Sequence, residues 1–272
     1  SAASDVYKRQ FLGGAVARRA HQSGHRVVGT YLRGPGRSAA LSWVRLDVRE
    51  RSRVRELVAA ERPQVVVNAA YRQSEWAATA DGAAHVAAAA AEHGAHLVHV
   101  SSDAVFSGRA DHYDEKAVPD PITPYGAAKA AAETAVRALH PQAALVRTSL
   151  IVGHGASVHE RRVHALASGE QDGVLFTDDV RCPVHVDDLA GALIELAQQE
   201  RGGMFHVVGQ DAVSRHELGV LIARRDGLDP DALPAGLRAR TGPPGALRVH
   251  LDSAATRRIL RTELRGARRF LA

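Results

Sequence analysis

The chain has 272 residues, 45% of them hydrophobic, enough for one large core or a core with a smaller lobe. Its formal net charge of +5 could suit nucleic acid, but the arginines alternate with acids along stretches such as DVRERSRVRELVAAERP, a solvated face rather than a phosphate-binding stripe, so no nucleic-acid partner is expected. The single cysteine, Cys182, excludes an intrachain disulfide, and there is neither a run of about 18 apolar residues nor a signal-peptide core, so the expectation is a cytoplasmic protein with no membrane partner.

In chain order, residues 1–10, SAASDVYKRQ, supply neither an apolar strand nor a glycine loop. One reverse translation of DVYKRQ, GAT GTG TAT AAG AGA CAG, resembles a transposon-end adapter, so this segment is expected to be foreign to the fold, standing where a first strand and glycine loop belong. From Phe11 the text reads as a nucleotide-binding helix, GGAVARRAHQSG (13–24), followed by a strand, HRVVGTYL (25–32). Helix RSRVRELVAAER (51–62), strand PQVVVNAAY (63–71), helix DGAAHVAAAAAEHG (81–94), strand AHLVHVSSD (95–103), helix GAAKAAAETAVRALH (126–140) and strand AALVRTSLIVG (143–153) continue the alternation. Short β-branched runs alternating with amphipathic helices predict an α/β, Rossmann-like, doubly wound parallel sheet. PVHVDDLAGALIELAQQ (183–199) and SRHELGVLIARRDG (214–227) read as helices and FHVVG (205–209) as a late strand. The predicted domains are therefore a dinucleotide-binding unit over 11–150 and a mainly substrate-binding lobe over 151–272, with 181–209 returning to the first unit. That lobe should cover the carboxyl edge of the sheet, where ligands bind in such folds.

Four features carry chemistry. Lysine occurs only at Lys8, Lys116 and Lys129 among 35 basic residues, so a retained lysine points to chemistry that arginine cannot perform. Tyr125 and Lys129 in PYGAAKAAAE stand four residues apart, on one helix face, where an ammonium lowers a phenol's pKa and poises it for proton transfer. Ser102, at the carboxyl end of a predicted strand in HVSSDAVFSG, can hydrogen-bond a substrate carbonyl as charge develops on it. Gly13 fits the last glycine of a dinucleotide loop, which permits close packing of the first helix and sets a pyrophosphate at its N-terminus.

VVVNAA, SSDAVFSG, YDEKAVPDPITPYGAAKAAAE, VRTSLIVG and FTDDVRCPVHVDDLA, in this order, resemble the extended short-chain dehydrogenase/reductase superfamily, and within it the dTDP-4-dehydrorhamnose reductases and their sugar-nucleotide-binding relatives. The resemblance implies reduction of a 4-keto nucleotide sugar by a nicotinamide cofactor. Tyr125 would be the general acid, Lys129 would hold the nicotinamide ribose and depress the pKa of Tyr125, and Ser102 would orient the carbonyl. It implies further that Asn68, Ala69 and Ala70 run beside the cofactor, that Gly13 meets the pyrophosphate and that Asp47 lies by the adenine, unless Asp47 is a turn residue. After the second strand of such folds an acid selects NAD and an arginine accommodates the extra phosphate of NADP. Arg33 and Arg37 stand there without an acid, so NADP(H) is favoured over NAD(H).

There are departures: Ser107 replaces the Asp of a V-F-D-G run, and Thr79 falls where relatives carry Asn. His85, His93, His96 and His99 fit no common zinc spacing and no metal is expected; Asp187 and Asp188 read as helix caps. Arg238, Arg240 and Arg248 could meet a diphosphate or be solvated. Two alternatives stay open, a nucleotide-sugar epimerase and a non-catalytic subunit resembling the regulatory subunit of methionine adenosyltransferase, and a homodimer stays open as well.

Overall fold

The computed structural model describes the backbone of residues 2–36 and 41–272, with side chains from Phe11 onward. Helix α1 (Ala2–Gln22) leads into β1 (Val28–Tyr31) and β2 (Ser42–Arg45), followed by α2 (Arg51–Glu61), β3 (Val65–Asn68), α3 (Gly82–Glu92), β4 (His96–Val100), α4 (Pro124–Leu139) and β5 (Ala144–Arg147). The chain continues through β6 (Ile151–Val152), α5 (Val158–Ala167), β7 (Leu175–Phe176), β8 (Val180–Arg181), β9 (Val184–His185), α6 (Val186–Gln198), β10 (Gly203–His206), β11 (Val213–Ser214) and α7 (Arg215–Arg225). Among the described residues the main sheet is parallel throughout, in the order β10-β5-β4-β3, and a second parallel pair is β1-β2. One edge of β1 and one edge of β3 therefore pair with no described strand.

Alternation along the strands explains the layers. Val98 and Val100 of β4 point into a core with Leu12 and Val16 of α1 and Leu189, Leu193 and Leu196 of α6. Leu97, one residue out of phase, points the other way into a core with Val86, Ala87 and Ala90 of α3 and Ala132 and Val136 of α4. Such two-sided burial is why the strands read as continuous apolar runs. The alanines of α3 are a packing device, since Ala83, Ala87 and Ala90 lie buried where larger side chains would force the neighbouring helices apart. A third core joins α5 and α7 through Val163, Leu166, Leu218 and Ile222. No described helix is long and apolar enough to cross a membrane.

The structure departs from the sequence reading locally. β2, SWVR, was not anticipated because it is short and has exposed ends rather than an apolar run. The single strand expected over 143–153 is divided: β5 pairs with β4 and β10, whereas β6 pairs with β9. Between them Thr148 donates its hydroxyl to Val207 O at 2.9 Å and Ser149 donates to Asp103 at 2.6 Å, so these polar side chains turn the chain away from the sheet.

Candidate active site

The site is built at the carboxyl ends of β3, β4 and β5. Ser102 leaves β4 in extended conformation and caps a 3₁₀ turn (Asp103–Val105), its Oγ accepting from Ala104 N at 3.2 Å and donating to Asp103 Oδ1 at 3.3 Å. Opposite it, Thr123 caps α4 by accepting from Gly126 N at 3.1 Å, and Pro124 takes the first helical position, where its missing N–H is not needed. This starts α4 so that Tyr125 lies in its first turn. Gly126 allows the approach: a Cβ there would stand 2.1 Å from the carbonyl oxygen of Ala104, backbone against backbone.

Lys129, one turn on, is 2% exposed and donates to Val100 O at 2.9 Å, with its ammonium 5.1 Å from the centre of the Tyr71 ring. Tyr71 in turn lies against Tyr125, ring centroids 5.8 Å apart. The structure therefore brings together the three residues picked from sequence, Ser102, Tyr125 and Lys129, and adds Tyr71, which the sequence reading passed over as the residue following NAA.

Below them lies a buried ionic layer. Arg147 of β5 meets Glu133 of α4 in a two-pronged pair, Nε to Oε1 at 3.0 Å and Nη2 to Oε2 at 2.9 Å, with both side chains at most 1% exposed. Ser101 adds a third bond to Glu133 Oε1 at 2.6 Å, and the guanidinium lies 4.8 Å from the Phe106 ring centre.

Burial sets the protonation states. It pushes the Tyr125 phenol well above its ordinary value, helped by Tyr71 and Asp103, while a hydrogen bond with Ser102 pulls the other way. Burial brings Lys129 down to about 8, with Glu133 opposing the change. The expectation that Lys129 lowers the Tyr125 pKa is therefore corrected for this geometry: the lysine is bonded to Val100 O, and desolvation dominates at the phenol. The result is a tyrosine that holds its proton at neutral pH beside a lysine that has lost half of its ammonium charge near pH 8.

The other expected positions fall as follows. Asn68 ends β3, buried; its amide contacts His99 Nδ1 at 3.2 Å and its Oδ1 accepts from Ala70 N at 3.1 Å, which fixes the turn through Ala69 and Ala70. Burial holds His99 neutral, near a pKa of about 3. Arg33 is exposed, two residues past β1; Arg37 lies outside the described residues. Asp47 makes an Asx turn, accepting from Arg49 N at 3.0 Å and pairing with the Arg49 side chain, which also bonds Glu75.

Gly13 requires a correction. It lies in the middle of α1, so its amide is at no helix N-terminus, and a Cβ there would meet no described atom within 4 Å. On α6, Gly191 faces the Arg19 guanidinium of α1, where a Cβ would stand 3.2 Å from it and 3.0 Å from Thr262 Cγ2. Asp187 and Asp188 do not cap α6 as expected; the cap is His185, whose Nδ1 accepts from Asp187 N at 3.3 Å, and Asp188 holds Arg265 instead. Arg238 is tied to Asp179 at 2.9 Å and to Pro243 O at 3.1 Å, whereas Arg240 and Arg248 are exposed. Ser107 and Thr79 both close loops, Ser107 N bonding Asp120 at 2.9 Å and Thr79 Oγ1 bonding Arg72 O at 2.8 Å.

The donor set at this end suits a nicotinamide and its ribose: one of three ammonium protons on Lys129 goes to Val100 O, and Tyr125, Ser102 and Tyr71 stand around it. Gly13, expected at the pyrophosphate, lies inside a continuous helix, and among the described residues no glycine turn precedes it.

Comparison with known proteins gives four findings. "Probable low-salt glycan biosynthesis reductase Agl14" of Haloferax volcanii is 31% identical over 253 residues, covering 86% of this chain and 83% of that protein. The crystal structure of a hypothetical dTDP-4-dehydrorhamnose reductase from Sulfolobus tokodaii superimposes with a TM-score of 0.80 at 27% identity, over 93% of each chain. That of the Bacillus anthracis dTDP-4-dehydrorhamnose reductase in complex with NADP gives a TM-score of 0.79 at 23% identity over 90% of this chain and 96% of that one, a likeness of fold. The profile of the RmlD substrate binding domain matches residues 8–249, nearly the whole chain, and with the Ser102, Tyr125 and Lys129 arrangement at the sheet edge it identifies this protein as a member of that family of extended short-chain dehydrogenase/reductases.

Proposed function

We propose that the protein reduces the 4-keto group of a nucleotide sugar, with NADP(H) as cofactor. The observation that carries the reading is the meeting of Ser102, from the end of β4, with Tyr125 and Lys129, from the first turns of α4, across a contact that only Gly126 permits. The bound nicotinamide would supply hydride to the carbonyl carbon. Ser102 Oγ hydrogen-bonds the carbonyl oxygen and orients it. Tyr125 donates its proton to that oxygen as negative charge develops there, and its raised pKa ensures that the proton is present at neutral pH. Lys129 binds the ribose hydroxyls with the ammonium protons that Val100 O leaves over. Tyr71 closes the site against water on the side facing the lysine. Arg33 meets the 2′-phosphate that distinguishes NADP.

The test uses the chain extended ahead of Phe11 by an apolar strand and a glycine turn, to pair the open edges of β1 and β3 and to supply a phosphate cradle. It is mixed with NADPH and a dTDP-4-keto-6-deoxy sugar. The expected result is one NADPH consumed per sugar reduced, the product heavier by two hydrogens. Tight NADPH binding with an isomerised and unreduced sugar would overturn the reading in favour of an epimerase.

A further inference from the structure

Away from Ser102, Tyr125 and Lys129, two imidazoles and a carboxylate meet at the carboxyl end of the β6–β9 pair. Val152 of β6 is in register with His185 of β9, and His154 follows two residues after Val152. His154 Nε2 lies 2.9 Å from Asp187 Oδ2, and His185 Nδ1 lies 3.7 Å from the same oxygen and would exchange its 3.3 Å bond from Asp187 N for the ion. One donor atom from each of the three side chains falls within 4.8 Å of the others. Tetrahedral bonds of about 2.1 Å place neighbouring ligand atoms roughly 3.4 Å apart, so the widest pair needs to close by at most about 1.4 Å. His154, half exposed, has the rotational freedom to do so.

Both imidazoles are carried on fixed supports. The buried Glu160 accepts from Gly153 N at 3.1 Å, Gly155 N at 3.1 Å and Ser157 N at 2.9 Å, and so pins the backbone on each side of His154. Arg225 holds the same carboxylate from below at 2.8 Å. His185 is wedged between the His154 ring, centroid 5.3 Å away, and the Phe270 ring at 5.4 Å. His185 is thus held before an ion arrives, and His154, on a fixed backbone, supplies the adjustment.

We propose that His154, His185 and Asp187 form a binding site for one divalent ion of the zinc class. Two imidazoles with a single carboxylate select Zn²⁺ and its transition-metal neighbours over Mg²⁺ or Ca²⁺, which take oxygen-rich shells. Three protein ligands leave a coordination position open to solvent, and the bound ion ties the loop after β6 to the first turn of α6.

The experiment is a titration of the tag-free full chain with Zn²⁺ by calorimetry, repeated with Co²⁺, whose visible absorption reports tetrahedral coordination. His154→Asn removes one imidazole while tolerating the positive φ of 56° at this position, and His112→Ala, which breaks the His112–His250 pair elsewhere, is the control. The expected result is one ion per chain, a Co²⁺ spectrum of tetrahedral intensity, affinity weakened at least tenfold in His154→Asn and in Asp187→Asn, and wild-type affinity in His112→Ala. Equal affinity in wild type and His154→Asn, or an equal loss in His112→Ala, would overturn the site.

Discussion

Glu133→Gln is the change that reports most on how the site is supported. It keeps the shape of the side chain and removes the charge that neutralises Arg147, leaving a guanidinium that is 1% exposed without its ionic partner. Breaking a buried pair by neutralising one member costs about 3–5 kcal/mol, because the surviving charge stays desolvated. For a chain of this size that corresponds to a fall in Tm of roughly 6–20 °C. Arg147→Met added to Glu133→Gln removes the stranded charge and leaves an unbranched side chain against Phe106, so the double variant should recover most of the loss. Thermal unfolding of the wild type, the two single variants and the double variant completes the cycle. The same substitution has a second readout. Glu133 raises the Lys129 pKa, so its loss should move any Lys129-dependent alkaline limb below pH 8. A Tm within 2 °C of wild type for Glu133→Gln, or a double variant whose loss is the sum of the singles, would refute the reasoning about this layer.

Further expectations concern the site itself. Gly126→Ala drives a methyl into the Ala104 carbonyl oxygen, so the first turn of α4 must lift from the Ser102 turn, at about 1–3 kcal/mol in stability by denaturant unfolding and roughly a hundredfold in kcat. Activity and stability should respond oppositely to alkali. The folded pKa of Lys129, about 8, lies below its unfolded value of about 10.4, so between these the unfolded chain holds more protons and the Lys129 contribution to stability rises with pH, while kcat/KM falls above pH 8 as the ammonium is lost. A kcat/KM flat to pH 10 would show that the ammonium is not needed. Arg33→Ala should weaken NADPH binding roughly 10- to 100-fold and leave NADH binding unchanged, measured by fluorescence titration; an equal loss for both cofactors would remove Arg33 from the 2′-phosphate.

The catalytic end was legible because its signals are local. Tyr125 and Lys129 lie one helical turn apart and Ser102 follows an apolar, strand-like run, so their nearness could be read from spacing, while the roles assigned to them came from the resemblance to the extended reductases. The supports beneath them were not legible. Arg147 and Glu133 meet across the helix–sheet boundary, and in a chain rich in exposed arginine nothing local marks this pair as buried. Tyr71 gave no signal because its contacts, with Tyr125 and Lys129, depend on where the β3 turn lies relative to α4. Helix α5 was missed although its capping box, Ser157 with Glu160, was readable, since VHERRVHALA is too polar to show a clear apolar face. The Gly13 expectation failed for a different reason: it assumed a helix start at that point, and α1 runs through it.

The central claim, that Tyr125 supplies the proton to a ketone polarised by Ser102, is tested most directly by comparing Tyr125→Phe with the parent chain, both extended ahead of Phe11, in NADPH oxidation with a dTDP-4-keto-6-deoxy sugar. The account predicts a fall in kcat of about 10²–10⁴ with NADPH affinity preserved, as expected for loss of a general acid. A variant that turns over within threefold of the parent would contradict it.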